Sequence, residues 1–210
     1  MGFSEIPSLG KTRFTEFLIR ENSLDAAGFQ DWAFCPGMLF NSLETWWGDR
    51  GKRDRPHEGL DLCLYRDHEE RVYSLDKKTK IPVMYDGIVV RVVNDFLGMS
   101  VIVEHQMPGG ENGKFCTIYG HMILDNTIQV GKIIEEGDII GNLADTSKSK
   151  ASILPHLHIT LGWAPKKIEY DKLTWRRIGT GNDLKLLDPL QVLDWDYLEL
   201  EASLRPCRDL

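Results

Sequence analysis

The most restrictive feature of the sequence is a period of two that runs, with interruptions, from about residue 57 to about residue 163. In the segment GLDLCLY, residues 59–65, leucines alternate with Asp61, Cys63 and Tyr65. Successive side chains of a strand point to opposite faces, so this alternation predicts a half-buried strand. Short β segments of the same kind follow, separated by Gly, Asn and Asp: GIVVRVV, MSVIVEHQ, KFCTIYGHM, GKIIEEGDIIGNL and HLHITLGW.

These segments predict an all-β fold with mainly antiparallel neighbours, built as two sheets or as a barrel-like core. The stretch MPGGENGK, residues 107–114, is typical of a hairpin loop. Residues 168–184 are polar and predict irregular structure, and DPLQVLDW, residues 188–195, indicates a closing element.

The N-terminal part of the chain predicts a short helical extension. Phe14, Phe17, Leu18 and Leu24 recur at roughly helical spacing, with Thr12 as the expected N-cap. We predict an extension over residues 1–45 that packs on a main domain over residues 46–200, because its aromatic residues are too many for a solvated tail. These aromatic residues are Phe14, Phe17, Phe29, Trp32, Phe34 and Phe40.

Composition excludes several classes of protein. A length of 210 residues with 42% hydrophobic and 27% charged residues is that of an ordinary globular domain. The formal net charge of -7 argues against a nucleic-acid partner, and no apolar run approaches the length of a membrane span. The basic run RGKRDR, residues 50–55, is either a solvated loop or a rim that attracts an anionic substrate.

The N-terminus and the cysteines leave the compartment open. The first residues show no signal peptide, so the chain is either cytoplasmic or the trimmed form of an exported protein. Cys35, Cys63, Cys116 and Cys207 are scattered and contain no CxxC pair, which excludes a zinc ribbon. We expect four buried thiols, with their disulfide state undecided by the sequence.

Two histidines one residue apart raise the question of a metal. In PHLHITLGW, residues 155–163, His156 and His158 share one strand face with Thr160, while the leucines and Ile159 face the core. Most such pairs are structural. However, RPHEGLDL supplies His57 and Asp61, and two imidazoles with one carboxylate suit Zn²⁺. Three protein ligands leave the fourth position open, as in catalytic rather than structural zinc sites.

The remaining histidines divide into one candidate and two structural residues. His121, in IYGHM, alone would be a surface histidine at the end of a strand. With the others it makes a set of four histidines and one aspartate, one histidine more than the metal requires. We expect a hydrogen-bonded structural role for His105 and a solvated position for His68.

Taken in order, HEGLD, YGHM, EEGDIIG and HLH resemble the lysostaphin-type (LytM-like) zinc metalloendopeptidases, which cut peptidoglycan cross-links. The similarity runs from about Trp47 to about Leu193, so residues 46–200 would be the peptidase domain. The resemblance implies one Zn²⁺ per chain held by His57, Asp61 and His158. It implies that His121 and His156 are the catalytic pair that does not bind the metal.

The same resemblance implies a peptidoglycan peptide as substrate and an extracytoplasmic location, in the periplasm or cell wall. Two departures from the family pattern are visible. NLADTSKSKASILP, residues 142–155, replaces the usual glycine-rich stretch. Residues 41–56 lack the tyrosine that often supports the oxyanion, and contain only Trp46 and Trp47. These tryptophans either wall a substrate groove or pack the N-terminal segment.

Two other classes of function remain as alternatives. A non-catalytic cell-wall-binding or regulatory module on the same fold would have lost ligands, whereas all five residues are present here. A cupin-type metal barrel also uses HxH but requires a carboxylate a few residues later. None follows before Glu169, so we rank the cupin interpretation last.

Overall fold

The computed structural model describes residues 6–48, 51–106, 113–146, 149 and 153–201. Within these residues lie two helices, α1 (Phe14–Glu21) and α2 (Trp175–Ile178), and three 3-10 turns, Pro36–Met38, Tyr170–Lys172 and Pro189–Gln191. The strands are β1 (Phe29–Phe34), β2 (Leu60–Leu62), β3 (Leu64–Asp67), β4 (Val72–Ser74), β5 (Lys80–Pro82), β6 (Gly87–Asn94), β7 (Met99–His105), β8 (Lys114–Leu124), β9 (Ile133–Ile134), β10 (Ile139–Leu143), β11 (Leu157–Ala164), β12 (Lys185–Leu187) and β13 (Tyr197–Glu199).

The strands form two sheets, which confirms the predicted all-β, mainly antiparallel class. The large sheet runs β12-β11-β8-β7-β6-β9, with β2 added to β11 and with β10 joining β8 to β5. The small sheet runs β13-β1-β3-β4, and its β1–β13 pair is parallel. In the described part of the chain the sheets do not close, so the barrel-like option was wrong.

The alternating segment at residues 59–65 forms two strands rather than one. β2 pairs with β11 in the large sheet, whereas β3 pairs with β1 in the small sheet, so the chain changes sheets at Cys63. Both faces of this segment are therefore covered, and every residue from Leu60 to Tyr65 is buried. The prediction of one half-buried strand was wrong because the segment serves two sheets.

The residues before position 46 contribute a strand as well as a helix. β1 lies between β13 and β3, in the interior of the small sheet. Phe14 and Leu18 of α1 are fully buried in the main core. The helix begins one residue later than predicted, with Arg13 at the N-cap, although Thr12 Oγ1 still accepts a hydrogen bond from the Phe14 amide. The chain up to residue 45 is thus more than a helical extension.

The two faces of the large sheet carry different residues. On β8, the odd-numbered Phe115 and Tyr119 belong to the main core, while the even-numbered Cys116 and Ile118 belong to a second, smaller cluster. The second cluster is closed by Leu173, Ile178 and Leu184 from the chain between β11 and β12, where α2 interrupts the predicted irregular structure. We call these the odd and even faces of the sheet.

Several smaller expectations have clear outcomes. Cys35, Cys63 and Cys116 are buried, and burial raises the pKa of the Cys116 thiol to about 12. Cys207 and the centre of the predicted hairpin loop, residues 107–112, lie outside the described residues. Among the helices that the structure describes, none combines the length and the apolar character needed to cross a bilayer.

Candidate metal centre and active site

Strand pairing brings two of the predicted ligands together. β2 and β11 are antiparallel, and their register places Asp61 directly opposite His158. Gly59 permits the close approach of the segment before β2, because a Cβ at this position would lie 2.3 Å from the Ile159 carbonyl oxygen and 2.8 Å from His158 Nε2. His57, two residues earlier, then lies beside both ligands.

Three donor atoms of these residues converge on one point. His57 Nε2 lies 3.2 Å from Asp61 Oδ1 and 3.3 Å from His158 Nδ1, and His158 Nδ1 lies 2.8 Å from Asp61 Oδ1. Ligand atoms of a tetrahedral zinc site, each about 2.0–2.1 Å from the metal, are separated by about 3.3 Å. The spacing and the donor types therefore fit one zinc ion, and all three residues are at most 4% exposed.

In both imidazoles, His57 and His158, the nitrogen that faces away from the cluster has a hydrogen-bond partner. His57 Nδ1–H donates to the Leu39 carbonyl oxygen at 3.1 Å, which leaves a lone pair on Nε2. His158 Nε2 is hydrogen-bonded to the Thr160 hydroxyl at 2.9 Å, and a proton there leaves a lone pair on Nδ1. Partners of this kind fix the tautomer and ring orientation of metal-binding histidines.

The outer oxygen of the carboxylate is held in the same way. Trp46 Nε1–H donates to Asp61 Oδ2 at 2.7 Å, and Arg53 Nη2 approaches the same oxygen at 3.5 Å. The Arg53 guanidinium also stacks on the Trp47 ring, 4.6 Å from its centroid. Oδ1 is thereby directed to the point where the donor atoms meet. Trp46 thus has a role that neither sequence interpretation of the tryptophan pair included.

The electrostatics of the cluster favour an ionised carboxylate at Asp61. Burial alone would raise the pKa of Asp61, but the charges and hydrogen bonds of His57, His156 and His158 hold it well below its ordinary range. Burial lowers the pKa of His158, and Asp61 opposes that shift. A metal requires its ligands in these protonation states.

His156 lies beside the three donor atoms with one nitrogen available. Its Nδ1–H donates to the Leu154 carbonyl oxygen at 2.8 Å, and its Nε2 is 3.8 Å from Asp61 Oδ1. Burial lowers the pKa of His156 to about 4; Asp61 opposes this shift and His121 adds to it. The ring is therefore neutral at neutral pH, with a lone pair on Nε2 facing the cluster.

His121 reaches the cluster through a bulge. It lies inside β8 and not at a strand end as predicted, between the residues that pair with β11 and those that pair with β10. The β7–β8 register shifts here, and His121 has a φ of 65°. A bulge of this kind re-aims a side chain. It places the odd-numbered His121 on the even face, with its ring 4.8 Å from that of His156.

A buried aspartate that the sequence analysis missed holds the bulge. Asp95 accepts hydrogen bonds from the amides of Leu97, Gly98 and His121 and from the Ser100 hydroxyl. Its Oδ1 is 3.2 Å from His121 Nδ1, at ion-pair distance but without the alignment of a hydrogen bond. Burial would raise the pKa of Asp95, but these partners hold it well below its usual range.

Three aromatic side chains surround the histidines. Trp46 packs edge-on against His156 with ring centroids 5.1 Å apart, and Trp175 against His158 at 4.9 Å. Phe96, which is 78% exposed, packs edge-on against His121 at 4.8 Å. The sequence offered no periodicity or spacing that distinguishes Phe96 or Trp175 from other aromatic residues.

His105 and His68 lie in the environments that the sequence predicts for them. His105 is buried, with Nδ1–H donating to the Asp86 carbonyl oxygen and Nε2 bonded to the Thr117 hydroxyl, both at 2.9 Å. His68 is exposed. In the described part of the basic run, residues 51–55, Arg53 contacts the site, whereas Arg55 hydrogen-bonds to the Arg176 carbonyl oxygen.

One family profile matches the chain. The sequence profile described as peptidase family M23 matches residues 66–170, half of the chain. The matched range contains His121, His156 and His158 but begins after His57 and Asp61, so the placement of those two rests on the geometry. A search of the curated proteins found no match.

Three solved structures have low similarity to the chain. Lysostaphin, solved by NMR, has 19% identity and a TM-score of 0.37 over 55% of this chain and 39% of its own. A putative peptidase M23 from Pseudomonas aeruginosa has 20% identity and a TM-score of 0.38 over 75% and 58%. The catalytic domain of the prophage-encoded M23 protein EnpA from Enterococcus faecalis, solved as a point mutant, has 24% identity and a TM-score of 0.36 over 57% and 77%. The chain thus spans less than two thirds of the length of the first two.

Proposed function

The chain belongs to peptidase family M23, and from this premise we propose that it is a zinc-dependent endopeptidase that hydrolyses peptide cross-links of bacterial peptidoglycan. The observation that carries the proposal is the convergence of three donor atoms of His57, Asp61 and His158 within 2.8–3.3 Å of one another, beside two further imidazoles. The substrate class follows from the sequence resemblance and is the part of the proposal that most needs a direct test.

His57, Asp61 and His158 would hold the zinc ion, each through the atom that its outer hydrogen bond leaves available. When bound, Zn²⁺ acidifies water and polarises a carbonyl group, so that a peptide bond can be attacked at neutral pH. The protein's own contribution is to keep the Asp61 carboxylate ionised and, through burial, to lower the pKa of His158 before the metal arrives.

His156 is proposed as the general base. Its neutral ring presents the Nε2 lone pair to the cluster while Nδ1–H is held by the Leu154 carbonyl. It can therefore accept a proton from water at Nε2 and return that proton to the leaving amine. Because the Nδ1 hydrogen bond fixes the tautomer, the ring does not need to rotate between the two transfers.

His121 is proposed to stabilise the negative charge that develops on the peptide carbonyl oxygen. Asp95 Oδ1 lies 3.2 Å from Nδ1, so the ring would donate to the substrate through Nε2, with a proton on each nitrogen. The bulge in β8 sets the direction of the ring before substrate binds. Such preorganisation is what makes a charged donor effective in a water-poor site.

A peptidoglycan substrate implies that the protein works outside the cytoplasm. The alternative of a non-catalytic cell-wall-binding or regulatory module would be favoured by a missing ligand or by a displaced imidazole. The five side chains are present and gathered, so no observation favours that alternative.

The test combines metal content with hydrolysis. Purified protein should contain about one zinc per chain and should release new amine ends from purified peptidoglycan, with glycine-rich and directly linked cross-bridges tried separately. Asp61→Ala should lose the metal. His156→Gln should keep the metal and lose about 10²–10⁴-fold in rate, the usual contribution of a positioned acid–base group. The exposed His68→Ala is the matched control and should match the wild type.

The outcomes separate the parts of the proposal. Full zinc retention by Asp61→Ala would refute the ligand assignment. Zinc loss in His156→Gln would move that histidine from base to ligand. A zinc-loaded wild type that releases no amine ends from either peptidoglycan would favour the non-catalytic module.

A further inference from the structure

The turn between β6 and β7 presents a phenylalanine to solvent. Phe96 is 78% exposed, the highest value among the large apolar side chains of the described residues. Its neighbours in the turn are fixed: Asp95 Oδ1 accepts hydrogen bonds from the amides of Leu97 and Gly98, and Leu97 packs against the main core. The backbone that carries Phe96 is therefore held in place, while the ring itself is uncovered.

The ring stands on the solvent side of the candidate active site. It packs edge-on against His121, with ring centroids 4.8 Å apart, and His121 is 4% exposed. The other described rings with centroids within 6.4 Å of His121 are those of His156 and His158, which are buried, and that of Trp175, which is partly buried. Phe96 is thus the exposed member of this group, and a peptide that approaches His121 from solvent meets its ring.

A single exposed apolar side chain is ordinary on a protein surface. Ile133, for example, is 75% exposed on β9, which ends the large sheet four strands away from β11. Phe96 differs because it contacts a residue of the site, so a bound peptide would cover it and remove its apolar surface from water. Such burial favours binding, and it favours most the peptide that has apolar atoms to place against the ring.

We propose that Phe96 contacts the substrate residue that supplies the attacked carbonyl group, and that it favours a residue with an apolar side chain over glycine. This inference rests on the proposed peptidase function, in which His121 stabilises the oxygen of that carbonyl. A ring in contact with His121 then lies beside the same substrate residue. Alanine offers a methyl group to the ring, whereas glycine has no side chain to bury. The preferred substrate is therefore a direct cross-link whose attacked carbonyl belongs to alanine.

The exposure of the ring argues for attraction rather than exclusion. A ring that rejected larger residues would have to be wedged inside the site, whereas Phe96 is open to solvent over most of its surface and leaves room beside it. An aromatic side chain has two torsions, so little conformational entropy is lost when a ligand fixes its position. Contact with the ring therefore favours binding at a small entropic cost.

The experiment compares two kinds of purified peptidoglycan, one with direct alanine cross-links and one with glycine bridges. The variants are Phe96→Ala, which removes the ring, and Phe96→Tyr, which keeps it. Ile133→Ala is the matched control, because it shortens a similarly exposed apolar side chain away from the site. The readouts are kcat/KM for the release of amine ends from each peptidoglycan, zinc content and thermal stability.

The expected result is a change in selectivity. The wild type should prefer the direct cross-links. Phe96→Ala should lose about tenfold in kcat/KM on these and stay within about twofold on glycine bridges, since one methyl group in an apolar contact changes kcat/KM about tenfold or more. Phe96→Tyr and Ile133→Ala should behave as the wild type. Zinc content and stability should be unchanged in every variant, because both side chains are exposed.

Several results would overturn the inference. A wild type that prefers glycine bridges, or a Phe96→Ala variant that gains activity on the direct cross-links, would make the ring a steric barrier. Equal losses on both substrates, with or without loss of zinc, would place the effect in His121 or in the fold. Unchanged kcat/KM of Phe96→Ala on the direct cross-links would remove any role for the ring.

The wild type separates this inference from the proposed function. If the zinc-loaded wild type cleaves neither peptidoglycan, the proposed function fails and the role of Phe96 falls with it. If the wild type is active and any of the contrary results is found, only the role of Phe96 is refuted.

Discussion

The hydrogen bond between Trp46 and Asp61 gives the most direct test of how the metal site is built. Trp46→Phe keeps an aromatic ring against His156 and removes only the donor to Asp61 Oδ2. The carboxylate then loses a 2.7 Å charge-assisted bond in a buried position. We expect weaker zinc binding, because the outer oxygen no longer fixes the direction of Oδ1.

Two independent estimates give the size of the effect. Hydrogen bonds to charged groups contribute about 1.5–3 kcal/mol, and the loss of an outer partner of a metal ligand weakens metal binding about 10–100-fold, which is about 1.4–2.7 kcal/mol. Arg53 Nη2 remains 3.5 Å from the same oxygen and partly compensates. We therefore expect the lower end of the range, a loss of about tenfold in zinc affinity.

The assay is a competition titration of metal-free protein against a zinc chelator of known affinity at fixed pH. Trp47→Phe is the matched control. The Trp47 indole packs edge-on against Trp46 and lies against the Arg53 guanidinium, whereas the hydrogen bond to Asp61 comes from Trp46. The control should stay within about twofold of the wild type. Equal affinities for Trp46→Phe and the wild type, or equal losses in both variants, would refute the reasoning.

Three further predictions concern the scaffold. Gly59→Ala should lower zinc content and stability, by about 1–3 kcal/mol in denaturant unfolding, because the new Cβ meets the Ile159 carbonyl oxygen at 2.3 Å. Burial lowers the pKa of His105 from 6.5 to about 4, so on acidification the unfolded chain binds this proton before the folded protein does. The free energy of unfolding should therefore fall by up to about 3 kcal/mol between pH 6.5 and pH 4. His105→Gln should reduce this pH dependence. A chain starting at residue 46 should fail to unfold cooperatively, because it lacks β1 from the interior of the small sheet.

The predictable part of the fold and site follows from the two-residue period. The alternation along β11 directs Leu157, Ile159 and Leu161 to the main core and leaves His158 and Thr160 on the other face. That division follows from strand geometry whatever the neighbouring strand is. The grouping of His57, Asp61 and His158 was also accessible, because Gly59 lies between His57 and Asp61 and lets one short segment present both.

The bulge at His121 could not be predicted in the same way. The two-residue alternation along β8 assigns its odd-numbered residues, His121 included, to the face of the main core. The positive φ of about 65° that overrides this alternation at His121 has no local sequence signature. The bulge exists because β8 exchanges β11 for β10 as a neighbour while its register with β7 shifts. Those pairings are properties of the whole sheet, so the face on which His121 lies is decided far from His121 itself.

The outer contacts of the site were missed for a related reason. Trp46 lies 15 residues from Asp61, and Asp95 lies 26 residues from His121. Neither interval corresponds to a helical or strand period, so no pattern joins the partners. The division of residues 59–65 between two sheets was missed for the same reason. Alternation predicts that a side chain is buried, but it does not predict which sheet its strand joins.

These long-range contacts also bear on how catalytic and non-catalytic relatives can be told apart. In the proposed site, zinc would be held by Nε2 of His57, Nδ1 of His158 and one oxygen of Asp61. A backbone carbonyl, a threonine hydroxyl and an indole occupy the other polar atoms of these side chains and so leave those three available. Of these selecting groups, the carbonyl and the indole lie outside the short stretches that carry the histidines. A chain can therefore keep all five site residues and still bind the metal about tenfold more weakly when the indole is replaced. The donor to Asp61 Oδ2 is thus a criterion of metal affinity that adds to the presence of the five residues.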